Sequence, residues 1–220
     1  MAEKPRPGSA AVSAARLTWS DGWRSRGYLP HFERPGLVQM VTFRLADSLP
    51  SERVDELRLT LRRQNGVDHR RALEAFLDAG HGACYLRDQR LARLVESALV
   101  HFDGTRYHLL AWVVMPNHVH VLIEGKPAFR LSTIMHSWKS FTAKEANKLL
   151  KRAGTFWQPE YFDRTIRDER HLASAIWYIH ANPVKAGLAA RAEDWPFSSA
   201  SRVGRETKAA ETAALPGSSL

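Results

Sequence analysis

Alternation is the first pattern the chain shows. From Leu37 to Leu45 (LVQMVTFRL) one face carries Leu37, Gln39, Val41, Phe43 and Leu45 and the other Val38, Met40, Thr42 and Arg44, which predicts a strand with the first set toward the core. Tyr107 to Met115 (YHLLAWVVM) predicts a strong central strand. Pro116-Asn117 separates it from a second run, His118 to Glu124 (HVHVLIE), so the two are expected to form a hairpin.

Helical spacing fills the rest. A helix is expected from Ser48-Leu49-Pro50, with Val54, Leu57 and Leu61 on one side and Asn65-Gly66 at its end. Two more amphipathic stretches, Asp68 to Ala79 and Asp88 to His101, flank a Gly80-His81-Gly82 break. Leu131 to Arg152 predicts a long helix with Ile134, Trp138, Phe141, Ala146 and Leu149 available for burial. Thr155 to Gln158 is expected as a short edge strand stopping at Pro159, and Asp168 to Ala181 as a last helix stopped by Asn182-Pro183.

This order predicts an α+β, ferredoxin-like or RRM-like sandwich: a central antiparallel sheet with helices on one face, the other face left open for function, and a helical insertion at 66–101. The ends, 1–27 and 202–220, are rich in small and polar residues and read as flexible tails around a single domain at 28–201.

Composition narrows the partners. With 32 Lys and Arg against 23 Asp and Glu, the net charge of +9 points to a polyanion, without separating DNA from RNA or from an anionic membrane. The lone Cys84 can form neither an internal disulfide nor a thiolate zinc cage, which fits a reducing cytoplasm. No apolar run approaches the roughly 20 residues needed to span a bilayer, so a soluble cytoplasmic protein is expected.

His118 and His120 are the first candidates for chemistry. Residues two apart on a strand share a face, about 7 Å apart along the chain, so both imidazoles can reach one divalent metal while Val119, Val121 and Ile123 turn to the core. With ten histidines in the chain, such a pair also arises on merely solvated faces. Two polar rings inside an otherwise apolar strand, where Leu or Val would bury better, favour functional use.

On the last helix His171, Ser174, Tyr178 and Asn182 form a stripe apart from the apolar face of Leu172, Ala175, Ile176 and Ile179. The Tyr178 phenol is a poor nucleophile while protonated, and a metal-polarised phosphate nearby makes its attack feasible. Asn182, one turn on, offers an amide oxygen as a third hard ligand to Mg²⁺ or Mn²⁺. Each also has a plain structural reading, aromatic packing for Tyr178 and a helix end for Asn182. Lys139 and Lys144, with Arg164, Arg167 and Arg170, could pair with phosphates while Trp138, Phe141, Trp157 or Phe162 stack on bases; a solvated charged face over core aromatics accounts for them equally well.

Six blocks in order, YLPHFERPGLVQMVTFRLADSLP (28–50), AWVVMPNHVHVLIE (111–124), SWKSFTAKEANK (137–148), FWQPEYFDRTIRDERHL (156–172), YIHANPVKAGL (178–188) and DWPFSS (194–199), together resemble the REP-associated tyrosine transposases. These belong to the HUH single-strand nucleases. The resemblance implies metal-dependent transesterification on single-stranded, hairpin-forming repeat DNA. His118 and His120 would bind the metal with Asn182, and Tyr178 would be the nucleophile, leaving a 5′-phosphotyrosine and a free 3′-hydroxyl. Tyr161 is the reserve nucleophile. Residues 66–87 look like extra material relative to the smallest transposases of this type. The repeat-associated branch implies a monomer, with a dimer as the alternative. Competing functions are a non-catalytic hairpin-binding repressor on the same fold and a phosphodiesterase that uses water in place of tyrosine.

Overall fold

The computed structural model describes residues 36–49 and 80–202, together with the backbone of Trp23–Ser25 and Pro30–Phe32. Those two short segments, β1 (Trp23–Ser25) and β2 (Pro30–Phe32), pair antiparallel in a ribbon of their own. The ribbon crosses the boundary expected at residue 27, so the first strand begins within what reads as a tail. The helix expected from Ser48 to Asn65, apart from its first two residues, the one from Asp68 to Ala79 and residues 66–79 of the expected insertion lie outside the described residues.

The main sheet is formed by β3 (Val38–Arg44), β4 (Tyr107–Val114), β5 (His118–Gly125) and β6 (Phe162–Thr165), in the order β4-β5-β3-β6 with every pair antiparallel. The expected hairpin is β4 and β5, with a register shift between Leu109 and Ala111. Leading the helices is α1 (Gln89–Val100), capped by the Asp88 carboxylate on the Arg90 N–H at 2.9 Å. Then come α2 (Leu131–Leu149) and α3 (Glu169–Lys185).

The pleat decides what each face buries. Val41 and Phe43 of β3 and Val119, Val121 and Ile123 of β5 turn toward α1 and α2, where Leu91, Val95, Ile134 and Trp138 meet them. Fully burying side chains of this size is worth roughly 1.5–3 kcal/mol each, so this face carries most of the stability. Its aromatic polar tips are partnered: the Tyr107 hydroxyl donates to the Leu99 carbonyl at 2.6 Å and accepts from Trp138 Nε1 at 2.9 Å. Burial pushes the Tyr107 phenol up to about 12. Trp157 Nε1 donates to Thr142 Oγ1 at 2.8 Å.

Four expectations are corrected here. Phe141 and Leu149 of α2 are 51% and 45% exposed, and Met135 and Thr142 take inward positions that the spacing had given to them. The edge strand is β6, not 155–158, of which only Trp157 makes an isolated bridge, to Leu45. The last helix runs through Asn182 and Pro183 to Lys185, and ends where Gly187 adopts φ +66°. There the Gly187 N–H reaches the Val184 carbonyl and the Leu188 N–H the Pro183 carbonyl, a Schellman ending that only a residue tolerant of positive φ closes cheaply.

Finally, the second face of the sheet is not left open. α3 lies across it, with Ala175 and Ile179 packed on Ala111, Val113, Met115 and Leu122 in a smaller second cluster. Residues 195–202 close the flank of β4: the Val114 N–H bonds the Phe197 carbonyl, and Ser199 Oγ sits between the Trp112 N–H and carbonyl. Across that flank, His180 Nε2 of α3 meets Ser199 Oγ at 2.8 Å.

Candidate active site

β5 presents His118 and His120 to the α3 side of the sheet, and α3 covers them, so each is only 1% exposed. Their Nε2 atoms stand 3.1 Å apart, with the rings edge to face at a centroid distance of 4.7 Å. Each outer nitrogen is occupied: His118 Nδ1 by Asn117 Oδ1 at 2.7 Å, His120 Nδ1 by Thr42 Oγ1 at 2.7 Å. Thr42 is there because β3 pairs with β5 in the register that puts it opposite His120. Burial pushes the His118 imidazole well below the ordinary histidine range, helped by His120; burial, with the Lys185 ammonium, lowers His120 to about 3. Both rings are therefore neutral near pH 7, the form that ligates a metal.

α3 supplies the other half. The Asp168 carboxylate caps it, accepting from the His171 N–H at 2.8 Å, and the Ala175 and Ile179 contacts fix its rotation over the sheet. Tyr178 is thereby placed with its ring edge to face with His120, centroids 5.2 Å apart. Lys185 Nζ lies 4.9 Å from the Tyr178 ring centroid and 4.7 Å from that of Trp177. Asn182, one turn beyond Tyr178, is fully buried, and neither its Oδ1 nor its Nδ2 has a hydrogen-bond partner among the described residues. A buried amide left in that state is costly.

The donor set fits a hard divalent cation in part. Two neutral imidazole nitrogens converge, and an orphaned amide oxygen lies on the helix that covers them. Among the described residues, no three His, Cys, Asp or Glu side chains gather as a metal cage. Tyr161, the reserve nucleophile, is buried in the opposite core with Trp157.

The basic residues divide between the two faces. Lys139 and Lys144 belong to α2, on the far side of the sheet from the histidines. The Lys139 ammonium turns onto the Gln158 and Pro159 carbonyls, at 2.5 and 2.7 Å, and burial lowers it to about 8. Arg164, by contrast, sits opposite Met40 in β6, on the histidine side, and Arg167 and Arg170 are exposed around the start of α3. Of the proposed stacking aromatics, Trp138 and Trp157 are core residues and Phe162 is half-buried, which leaves Phe141, on the far helix. Trp177, 63% exposed beside Tyr178, was missed because its neighbours suggested aromatic packing. Thr42 and Asn117 were missed too: one reads as strand filler and the other as a turn residue.

Residues 85–182, which hold the histidine strand and the tyrosine helix, match the family described as "Transposase IS200 like". The resemblance to the REP-associated tyrosine transposases holds. Over 95 residues the chain is 35% identical to the REP-associated tyrosine transposase of Escherichia coli (strain K12), and over 103 residues 29% identical to a relative from Haemophilus influenzae. Each match takes in 42% of this chain, and the chain spans only 53% and 58% of those relatives' own lengths. A solved REP-associated tyrosine transposase, bound to a REP hairpin, superposes with a TM-score of 0.53 at 20% identity over 82% of this chain and 87% of its own, which shows a shared α+β fold. Among the described residues, no helix is long and apolar enough to cross a membrane.

Proposed function

We propose that the protein nicks and rejoins single-stranded, hairpin-forming repeat DNA through a covalent tyrosine intermediate, with Mg²⁺ or Mn²⁺ held by His118, His120 and Asn182. The observation that carries this is the meeting of two buried neutral imidazoles with the Tyr178 ring, one helical turn from a buried amide with no partner. A cation bound there supplies charge neutralisation for a phosphodiester.

The chain's own groups account for the rest. The Tyr178 phenol loses its proton and its oxygen bonds to phosphorus, while the bond from phosphorus to the 3′-oxygen breaks and that oxygen leaves as a hydroxyl after taking up a proton. The product is a 5′-phosphotyrosine, which conserves the bond energy for rejoining by the reverse attack. Lys185, above the tyrosine ring, favours the phenolate and the anionic phosphate. Arg164, Arg167 and Arg170 would hold the flanking backbone, whereas Lys139, committed to two carbonyls, is a weaker candidate and Lys144 would grip DNA only on the far face.

The hairpin as substrate is supported by the REP hairpin in the related structure. Contact of Tyr178 with His120 of the same chain supports a monomer acting in cis, and DNA as substrate supports a cytoplasmic setting. The test is a labelled single-stranded hairpin incubated with Mn²⁺ or Mg²⁺. A protein–DNA adduct should survive denaturant, map to the Tyr178 peptide by mass spectrometry, and vanish in Tyr178→Phe. An adduct still formed by Tyr178→Phe would refute the assignment.

A further inference from the structure

We infer that Asn117 and Thr42 are positioning residues that set the tautomers of the two histidines, Asn117 irreversibly and Thr42 reversibly. Asn117 is fully buried, and its Nδ2 donates to the His81 carbonyl at 3.0 Å. A carbonyl only accepts, so the opposite end of the amide, facing His118 Nδ1 at 2.7 Å, is oxygen. That oxygen also only accepts. His118 must therefore carry its proton on Nδ1 and a lone pair on Nε2.

The consequence passes to the next ring. Two Nε2 atoms 3.1 Å apart form a hydrogen bond only if one donates, and His118 has nothing to give from that nitrogen. His120 must then carry its proton on Nε2 in the metal-free protein. Its Nδ1 becomes an acceptor, and the Thr42 hydroxyl at 2.7 Å is the donor. The array runs one way: Thr42 to His120 to His118 to Asn117.

A cation shared by both Nε2 atoms needs both lone pairs, so His120 must give up its proton at Nε2 and take one at Nδ1. The ring stays neutral through this exchange. Its partner must then accept where it had donated, which a hydroxyl does by rotating about one bond and a carbonyl or ammonium cannot. Thr42 meets that requirement, while Asn117 holds His118 in the ligating form throughout. An outer partner that fixes a ligating imidazole in this way typically changes metal affinity by about 10- to 100-fold when it is removed.

The second half of this inference rests on the metal reading proposed above; the tautomers of the metal-free protein do not. Long-range ¹H–¹⁵N correlation of the full chain, labelled with ¹⁵N-histidine and treated with chelator, should show His118 protonated at Nδ1 and His120 at Nε2. Adding diamagnetic Mg²⁺ should move the His120 proton to Nδ1. By calorimetry, Thr42→Val should bind Mn²⁺ roughly tenfold or more weakly, and Thr42→Ser, which keeps the hydroxyl, should bind it as the unaltered chain does. His120 found as the Nδ1–H form in chelator, or a Thr42→Val affinity equal to wild type, would overturn the inference. If the unaltered chain takes up neither ion, the metal reading fails, and the chelator spectrum alone decides the tautomers.

Discussion

Replacing Asn182 by Leu separates what this side chain does for the fold from what it does for a ligand. Leucine has the same branching, so the substitution exchanges two buried polar atoms for two methyl groups in nearly the same space. In the structure both polar atoms lack a hydrogen-bond partner among the described residues, and an unsatisfied buried group costs roughly 1–3 kcal/mol. Taking the low end for each atom, Asn182→Leu should stabilise the metal-free protein by about 2 kcal/mol. For a chain of this length that is a melting temperature higher by about 4–8 °C. Metal reverses the comparison. Bound at a hundred times its dissociation constant, it would add about 2.7 kcal/mol to the unaltered protein by mass action, and much less to the variant. Calorimetric scans of both proteins, in chelator and in Mn²⁺, give the four numbers needed. The reasoning fails if Asn182→Leu is less stable in chelator, since the amide would then be making bonds worth more than its desolvation. The ligand role fails if Mn²⁺ raises both proteins equally.

Two further outcomes follow from other parts of the structure. Gly82 has φ +85°, and a Cβ there would lie 2.5 Å from the Asp47 carbonyl oxygen, so Gly82→Ala should lower stability by roughly 2–4 kcal/mol in urea unfolding; a change under 1 kcal/mol would show that the loop gives way freely. Lys139, lowered from 10.5 to about 8 by burial, should be acylated with a pH midpoint near 8, read by peptide mapping, and a midpoint near 10.5 would refute that lowering. Because the unfolded chain then holds more protons than the folded one between about pH 8 and 10.5, this group makes stability rise with pH across that window.

What was legible in the sequence was whatever alternation or local chemistry encodes. The β4–β5 hairpin, the inward turn of Val119 and Val121 and the shared face of His118 and His120 all follow from a period of two. What was not legible depends on partners far along the chain. Phe162–Thr165 has no apolar alternation and is a strand because its backbone completes the edge of β3. Thr42 acquires meaning only through the register that sets it opposite His120, 78 residues away. Trp138 and Trp157 looked able to stack on bases, yet each finds a buried acceptor for its indole N–H, Tyr107 and Thr142, and so belongs to the core. Pro183 misled by a general rule. A proline forfeits one helical hydrogen bond, but the turn after it is held by the Gly187 ending, and the helix continues.

Because α3 continues unbroken to Lys185, its residues travel as one lever. Tyr178 and Asn182 are separated by about 6 Å of rise along one helix, with Lys185 less than a turn further on, whereas the two histidines are fastened to the sheet. Any swing that carries the tyrosine off the histidines must therefore withdraw the amide and the ammonium in the same stroke. Proposed nucleophile, proposed third donor and neighbouring positive charge are geared together, and the sheet keeps only the imidazole pair.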